Sequence, residues 1–154
     1  MTAFVDMGDH FKTALAQDLL GMTVGRYDGY GTYRAIFDHA TDENLIVKVE
    51  NQAQSFSNVN EWNVWQAVKE TKLAQWFAPC VQISPRGIVL IARRCKPIPR
   101  QMLPDKVPAF FTDLKVENWG LYEGRPVCLD YGCHLMLERG MTTKLRAARW
   151  TDHG

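Results

Sequence analysis

Apolar residues recur at helical spacing near the start of the chain. Phe4, Met7, Phe11, Ala14, Leu15 and Leu19 fall on one stripe and Gly21 supplies a stop, which predicts a helix over 3–20. The pattern then changes to the alternation of strands. Segments 22–28 and 32–38 are rich in β-branched and aromatic residues and predict two strands joined at Gly29-Tyr30-Gly31. A third strand is predicted over 44–50, with Leu45, Val47 and Val49 on one face and Ile46, Lys48 and Glu50 on the other. A lysine late in such a strand is expected to face solvent. Next comes a helix over 58–72, where Asn58 and Glu61 have the spacing of a capping box. Strands over 80–84 and 88–93 turn at Pro85-Arg86-Gly87. The stretch 96–108 is rich in proline and reads as a linker. A short hairpin, 119–122 with 126–129, turns at Glu123-Gly124, and the remaining tail, rich in Arg and Lys, is expected to form one more helix.

These elements predict an α+β fold. A five-stranded antiparallel sheet carries one helix between its third and fourth strands, and a much smaller second half follows. With 154 residues the chain suits one domain, read as a sheet half over 1–94 and a reduced half over 95–154. Apolar residues make up 46% and the formal net charge is +1, so bulk electrostatics favour neither a nucleic acid nor a membrane. No apolar run is long enough to span a bilayer and the N-terminus does not read as a signal peptide, so a cytoplasmic protein is expected. Cys80, Cys95, Cys128 and Cys133 form no C-x-x-C pair and the histidines are scattered, which argues against zinc. Free, packed thiols are expected, although Cys128 and Cys133 are close enough in sequence to pair.

The candidate chemistry lies in the second half. Asp113-Leu114-Lys115-Val116-Glu117-Asn118 is followed by the hairpin and then by Asp130-Tyr131-Gly132. Upstream, Lys48 sits in Ile46-Val47-Lys48, with Gly29-Tyr30-Gly31 before it and Glu61 in the helix after it. Taken singly, each piece has a plain reading: Asp-x-Gly is most often a turn, and Glu61 serves as a capping acid. In this order and spacing, however, they resemble the protein-kinase fold, in the reduced form of small kinase-like proteins of phages and bacteria.

That resemblance implies ATP and Mg²⁺ as cofactors. Lys48 would contact the α- and β-phosphates with Glu61 aiming it, and Gly29, Tyr30 and Gly31 would cover the nucleotide. Asn118 and Asp130 would hold the metal, and Asp113 would orient the attacking hydroxyl while Lys115 steadies the phosphate. Glu70 is the alternative partner of Lys48.

The chain departs from the family at three places. Phe111-Thr112 stands where His-Arg is usual, the glycines do not fit G-x-G-x-x-G, and there is little room for the large helical lobe. Two functions are therefore expected. One is a minimal phosphotransferase of viral or bacterial origin. The other is a non-catalytic kinase-fold interaction protein, such as a phage inhibitor of a host or defence protein, an anti-CRISPR being one example. A truncated lobe leaves apolar surface, so a protein partner or a homodimer is expected to cover it. Nucleic-acid binding through Arg93, Arg94, Lys96, Arg100, Lys144, Arg146 and Arg149 is the least favoured alternative, since such runs are usually solvated faces.

Overall fold

The computed structural model describes residues 8–30, 33–51, 55–132 and 140–152. Strands β1 (Val24–Tyr30), β2 (Arg34–His39), β3 (Leu45–Glu50), β4 (Cys80–Ile83) and β5 (Val89–Arg93) form an antiparallel sheet in the order β1-β2-β3-β5-β4. The expected α+β, five-stranded antiparallel arrangement is present. Helix α2 (Ser57–Val68) lies between β3 and β4 in sequence and packs on β3, β4 and β5. Helix α1 (Asp9–Thr23) precedes the sheet. The smaller half holds β6 (Lys96–Pro97), β7 (Lys106–Pro108), β8 (Trp119–Tyr122), β9 (Arg125–Cys128) and β10 (Leu145–Ala147). These form a three-stranded sheet, β6-β8-β9, and a two-stranded one, β10-β7.

Local sequence explains most boundaries. The β8–β9 hairpin turns on Glu123 (φ 51°) and Gly124 (φ 78°), two consecutive left-handed residues, as a two-residue hairpin loop demands. Helix α2 ends at Val68, earlier than the predicted 72. The Thr71 hydroxyl donates to the Val68 carbonyl and accepts the Leu73 N–H, starting a 3₁₀ turn over Lys72–Trp76. The Pro-rich stretch 96–108 has no α-helix but contributes β6, a 3₁₀ turn (Arg100–Met102) and β7.

Three expectations need correction. The first helix runs to Thr23, through Gly21, and none of its residues is buried: Phe11, Leu19, Leu20 and Met22 are all more than half exposed. The helix packs on β1; Phe4 and Met7 lie outside the described residues. The tail forms no helix within 140–152. Leu145–Ala147 pairs instead with Lys106–Pro108, a partner far away in sequence. In that pairing Leu145 is exposed, whereas Arg146 is half-buried and donates to the Phe111 carbonyl. Finally, Asn58 and Glu61 do not make a capping box. Residue Phe56 is the N-cap, in the left-handed region (φ 57°), and makes no side-chain cap bond. The cap comes from β3: one Glu50 oxygen accepts the Asn58 N–H (2.6 Å) and the other accepts the Ser55 hydroxyl.

One hydrophobic core joins both halves. Val64 and Val68 of α2, with Phe77, Cys80 and Leu90, meet Val107, Phe111, Leu114, Trp119, Cys128 and Tyr131. Aromatic rings dominate it. Phe77 lies 4.8 Å from Tyr131 and 5.4 Å from Phe111, and Phe111 lies 5.1 Å from Trp119, between ring centroids. Each such ring contributes about 1.5–3 kcal/mol by burial. Main-chain bonds stitch the same seam, with Ala78 N–H donating to the Cys128 carbonyl.

Candidate functional site

The face of β2 and β3 that looks at α2 carries charge. Ile36 is opposite Lys48 and Arg34 is opposite Glu50, so the two-residue period sets Arg34 and Lys48 on one side of the sheet. The buried stripe of α2 contains Asn58, Glu61, Val64 and Val68, so Glu61 points into the same space. Lys48 Nζ donates to Glu61 Oε2 (2.7 Å) and to the Leu129 carbonyl (2.7 Å). Arg34 grips both Glu61 oxygens, Nη1 to Oε2 (3.2 Å) and Nη2 to Oε1 (3.1 Å). Its Nη2 also reaches Asp130 Oδ1 at 2.6 Å, and Nη1 reaches Asn58 Oδ1 at 3.1 Å. The Asn58 amide in turn donates to the carbonyls of Lys48 and Ile88.

The result is two cations and two anions in one hydrogen-bonded network. Arg34, Lys48 and Glu61 are at most 5% exposed, whereas the Asp130 side chain is 43% exposed. Lys48 therefore does not face solvent as expected of it, because Glu61 and a main-chain carbonyl replace its water. Burial alone would push the Glu61 carboxyl up. The Arg34 and Lys48 charges and their hydrogen bonds outweigh it and bring the pKa down to about 2.

Asp130-Tyr131-Gly132 does more than turn the chain. Asp130 pairs with Arg34, and the Tyr131 N–H donates to Glu61 Oε1 (3.0 Å). The Tyr131 ring is fully buried and its hydroxyl donates to the Ala78 carbonyl (2.7 Å). At Gly132 an added Cβ would stand 2.3 Å from the Ser57 carbonyl oxygen, so only glycine lets this segment lie against the start of α2.

Asp113 and Lys115 form a second, separate pair, Lys115 Nζ to Asp113 Oδ2 at 3.5 Å, with Asp113 55% exposed. Buried Leu114 anchors their loop between them. Thr151 clamps one side of that loop, accepting from Val116 N–H and donating to the Leu114 carbonyl. On the other side the Asn118 carbonyl accepts the Leu129 N–H (2.7 Å), which joins the loop to the residue before Asp130. Gly29 and Tyr30 end β1, Gly29 at a register irregularity; Gly31 lies outside the described residues. Glu70 is exposed and stands in no ion pair with Lys48, whose carboxylate partner is Glu61.

Among the described residues no group of three His, Cys, Asp or Glu side chains could hold a metal ion. Asn118 and Asp130 offer hard oxygen donors on adjoining segments. Oxygen donors of this type are the ones magnesium takes, and one of the two Asp130 oxygens is already held by Arg34. The thiols offer nothing comparable: burial pushes Cys80 up to about 12 and Cys95 up to about 11. Cys80, Cys95 and Cys128 are free, and Cys133 lies outside the described residues.

Several residues of the basic runs have internal partners. Arg94 pairs with Asp38 (2.6 Å), Arg100 pairs with Asp152, and Arg146 donates to Phe111. Among the described residues no helix is long and apolar enough to cross a membrane.

Sequence reasoning missed Arg34 entirely. Its signal was available: it shares the alternation of Ile36 and Lys48 on a face that must be buried if a helix covers it. No protein-family model matches the chain, and no curated protein matches it either.

Proposed function

We propose that this chain is a reduced kinase-like protein that binds ATP, with the phosphate-handling residues of that fold kept and the substrate platform lost. The observation that carries the reading is the buried Lys48–Glu61 pair between β3 and α2, tied through Arg34 and Leu129 to the Asp130 segment. In this reading Lys48 meets the α- and β-phosphates and Glu61 fixes its direction. Gly29, Tyr30 and Gly31 cover the nucleotide. Magnesium, held by Asn118 and Asp130, would neutralise phosphate charge. Asp113, exposed on a loop clamped at both sides, orients an incoming hydroxyl and takes its proton, and Lys115 steadies the phosphate.

The test combines binding and turnover. ATP should raise the melting temperature of the wild-type protein. Asp113→Ala should keep ATP affinity within severalfold yet lose transfer by roughly 10²–10⁴. No nucleotide-dependent stabilisation under any metal condition would remove the reading.

A second reading, a non-catalytic kinase-fold interaction protein acting on a host or defence protein, has its own support. Lys48 is almost wholly buried in internal bonds, and α1 presents Phe11, Leu19, Leu20 and Met22 to solvent. A cleft of about 420 Å³ lined by Val68, Thr71, Lys72, Leu73 and Met141 also lies apart from the charged network. Partner inhibition by Asp113→Ala equal to that of wild type, with neither protein turning over ATP, would select this second reading.

A further inference from the structure

Arg34 belongs to none of the roles above, yet it is the hub of the network. Its guanidinium is clamped in the buried interior by both Glu61 oxygens and by Asn58. From that anchor Nη2 reaches outward to Asp130 Oδ1 at 2.6 Å, closer than the bonds that hold it to Glu61 and Asn58. Asp130 is the only member of the four charges with substantial exposure, so a cation arriving from solvent meets the network at this carboxylate.

Charge decides what happens there. Arg34 and Lys48 balance Glu61 and Asp130, and the network sums to zero. A divalent ion at Asp130 would bring two more positive charges beside a guanidinium that already occupies one carboxylate oxygen. Because the guanidinium is itself buried, water screens that repulsion only from the Asp130 side. Parting Arg34 from Asp130 leaves the interior tied, because Nη1 still donates to Glu61 Oε2 and Asn58 while Nη2, which both carboxylates share, keeps Glu61 Oε1.

We infer that Arg34 is an internal latch on Asp130: it keeps the carboxylate paired and closed to divalent cations, and a cation binds only as the Arg34–Asp130 pair opens. Arg34 thereby sets the cation affinity of the site. This rests on the reading of Asp130 as a metal ligand, and it gives the chain a control point that acts before any nucleotide chemistry.

The test uses Mn²⁺ alone with the full chain, followed by its electron-spin signal. Arg34→Gln should bind Mn²⁺ at least tenfold more tightly than wild type. Arg34→Lys, which keeps the charge, should stay near wild type, and adding Asp130→Asn to Arg34→Gln should abolish the gain. Equal Mn²⁺ binding by wild type and Arg34→Gln, at any affinity including none, would overturn the latch.

Should Arg34→Gln fail to fold, the wild-type protein still decides. Titration with Mg²⁺ should move the Arg34 guanidinium resonances in step with the Asn118 and Asp130 amides. Amides that shift while the guanidinium stays put, or no response from either, would overturn the proposal. Nucleotide binding is read separately, by ATP-dependent stabilisation in chelator. A latch that fails while ATP still stabilises the protein refutes only the inference. A tenfold Mn²⁺ effect with no ATP-dependent stabilisation under any metal condition removes the nucleotide reading and leaves the latch.

Discussion

Glu61 is the residue on which the network depends. A fully buried carboxylate is costly, and it is tolerated here because Arg34, Lys48 and the Tyr131 N–H satisfy both of its oxygens. Glu61→Gln would leave two buried cations short of an anion, so a loss of about 3–5 kcal/mol is expected in denaturant unfolding. Lys48→Ala is expected to cost about as much, since it removes one of the two cations balancing Glu61. Its stability must therefore be measured before any lost ATP response is assigned to binding. The pH dependence has a definite sign. Because the folded-state pKa is depressed from 4.5 to about 2, the contribution of Glu61 is fully present above pH 4.5. It is lost as pH falls from there through 2, and Glu61→Gln should flatten that part of the stability profile. At the level of single residues the sequence announced chemistry better than environment. Lys48, Glu61 and Asp130 stood out by type and order. Arg34 did not, and Lys48 read as exposed, because burial is decided by what covers a face.

Among the elements, Asp130-Tyr131-Gly132 lies directly against the first turn of α2 and bonds to Glu61 within that helix. Gly132→Ala would place a methyl group into the Ser57 carbonyl. We expect a loss of about 1–3 kcal/mol and faster hydrogen exchange in the first turn of α2, with little change in β8 and β9. Tyr131→Phe should cost about 1–3 kcal/mol, because the buried Ala78 carbonyl loses the hydroxyl that donates to it. The order of the strands and of α2 was legible from alternation and turn residues, and the β8–β9 hairpin from Glu123-Gly124. Two things were not. Asn58 and Glu61 have the spacing of a capping box, and nothing local reveals that Glu50 caps the helix from the neighbouring strand. The tail, read as helical, pairs across a long sequence separation with β7, and such pairing leaves no periodic trace in three residues.

On the scale of the whole molecule, the tail closes the smaller half. Trp150 packs on Trp119 (5.2 Å between centroids) and its indole N–H donates to the Pro104 carbonyl, while Thr151 clamps the Asp113 loop. A chain ending at residue 139 should keep the five-stranded sheet but loosen the Asp113 loop, seen as faster exchange of the Leu114 and Val116 amides. Unchanged exchange there would refute this role for the tail. The packing of these indoles also has an optical consequence. Trp119 meets Trp76 and Trp150 at 75° and 85°, with centroids 6.4 Å and 5.2 Å apart. Indole rings this close exchange excitation, so the folded protein should show a split circular-dichroism band in the indole absorption region. That couplet is a built-in signal for closure of the smaller half, readable without a label.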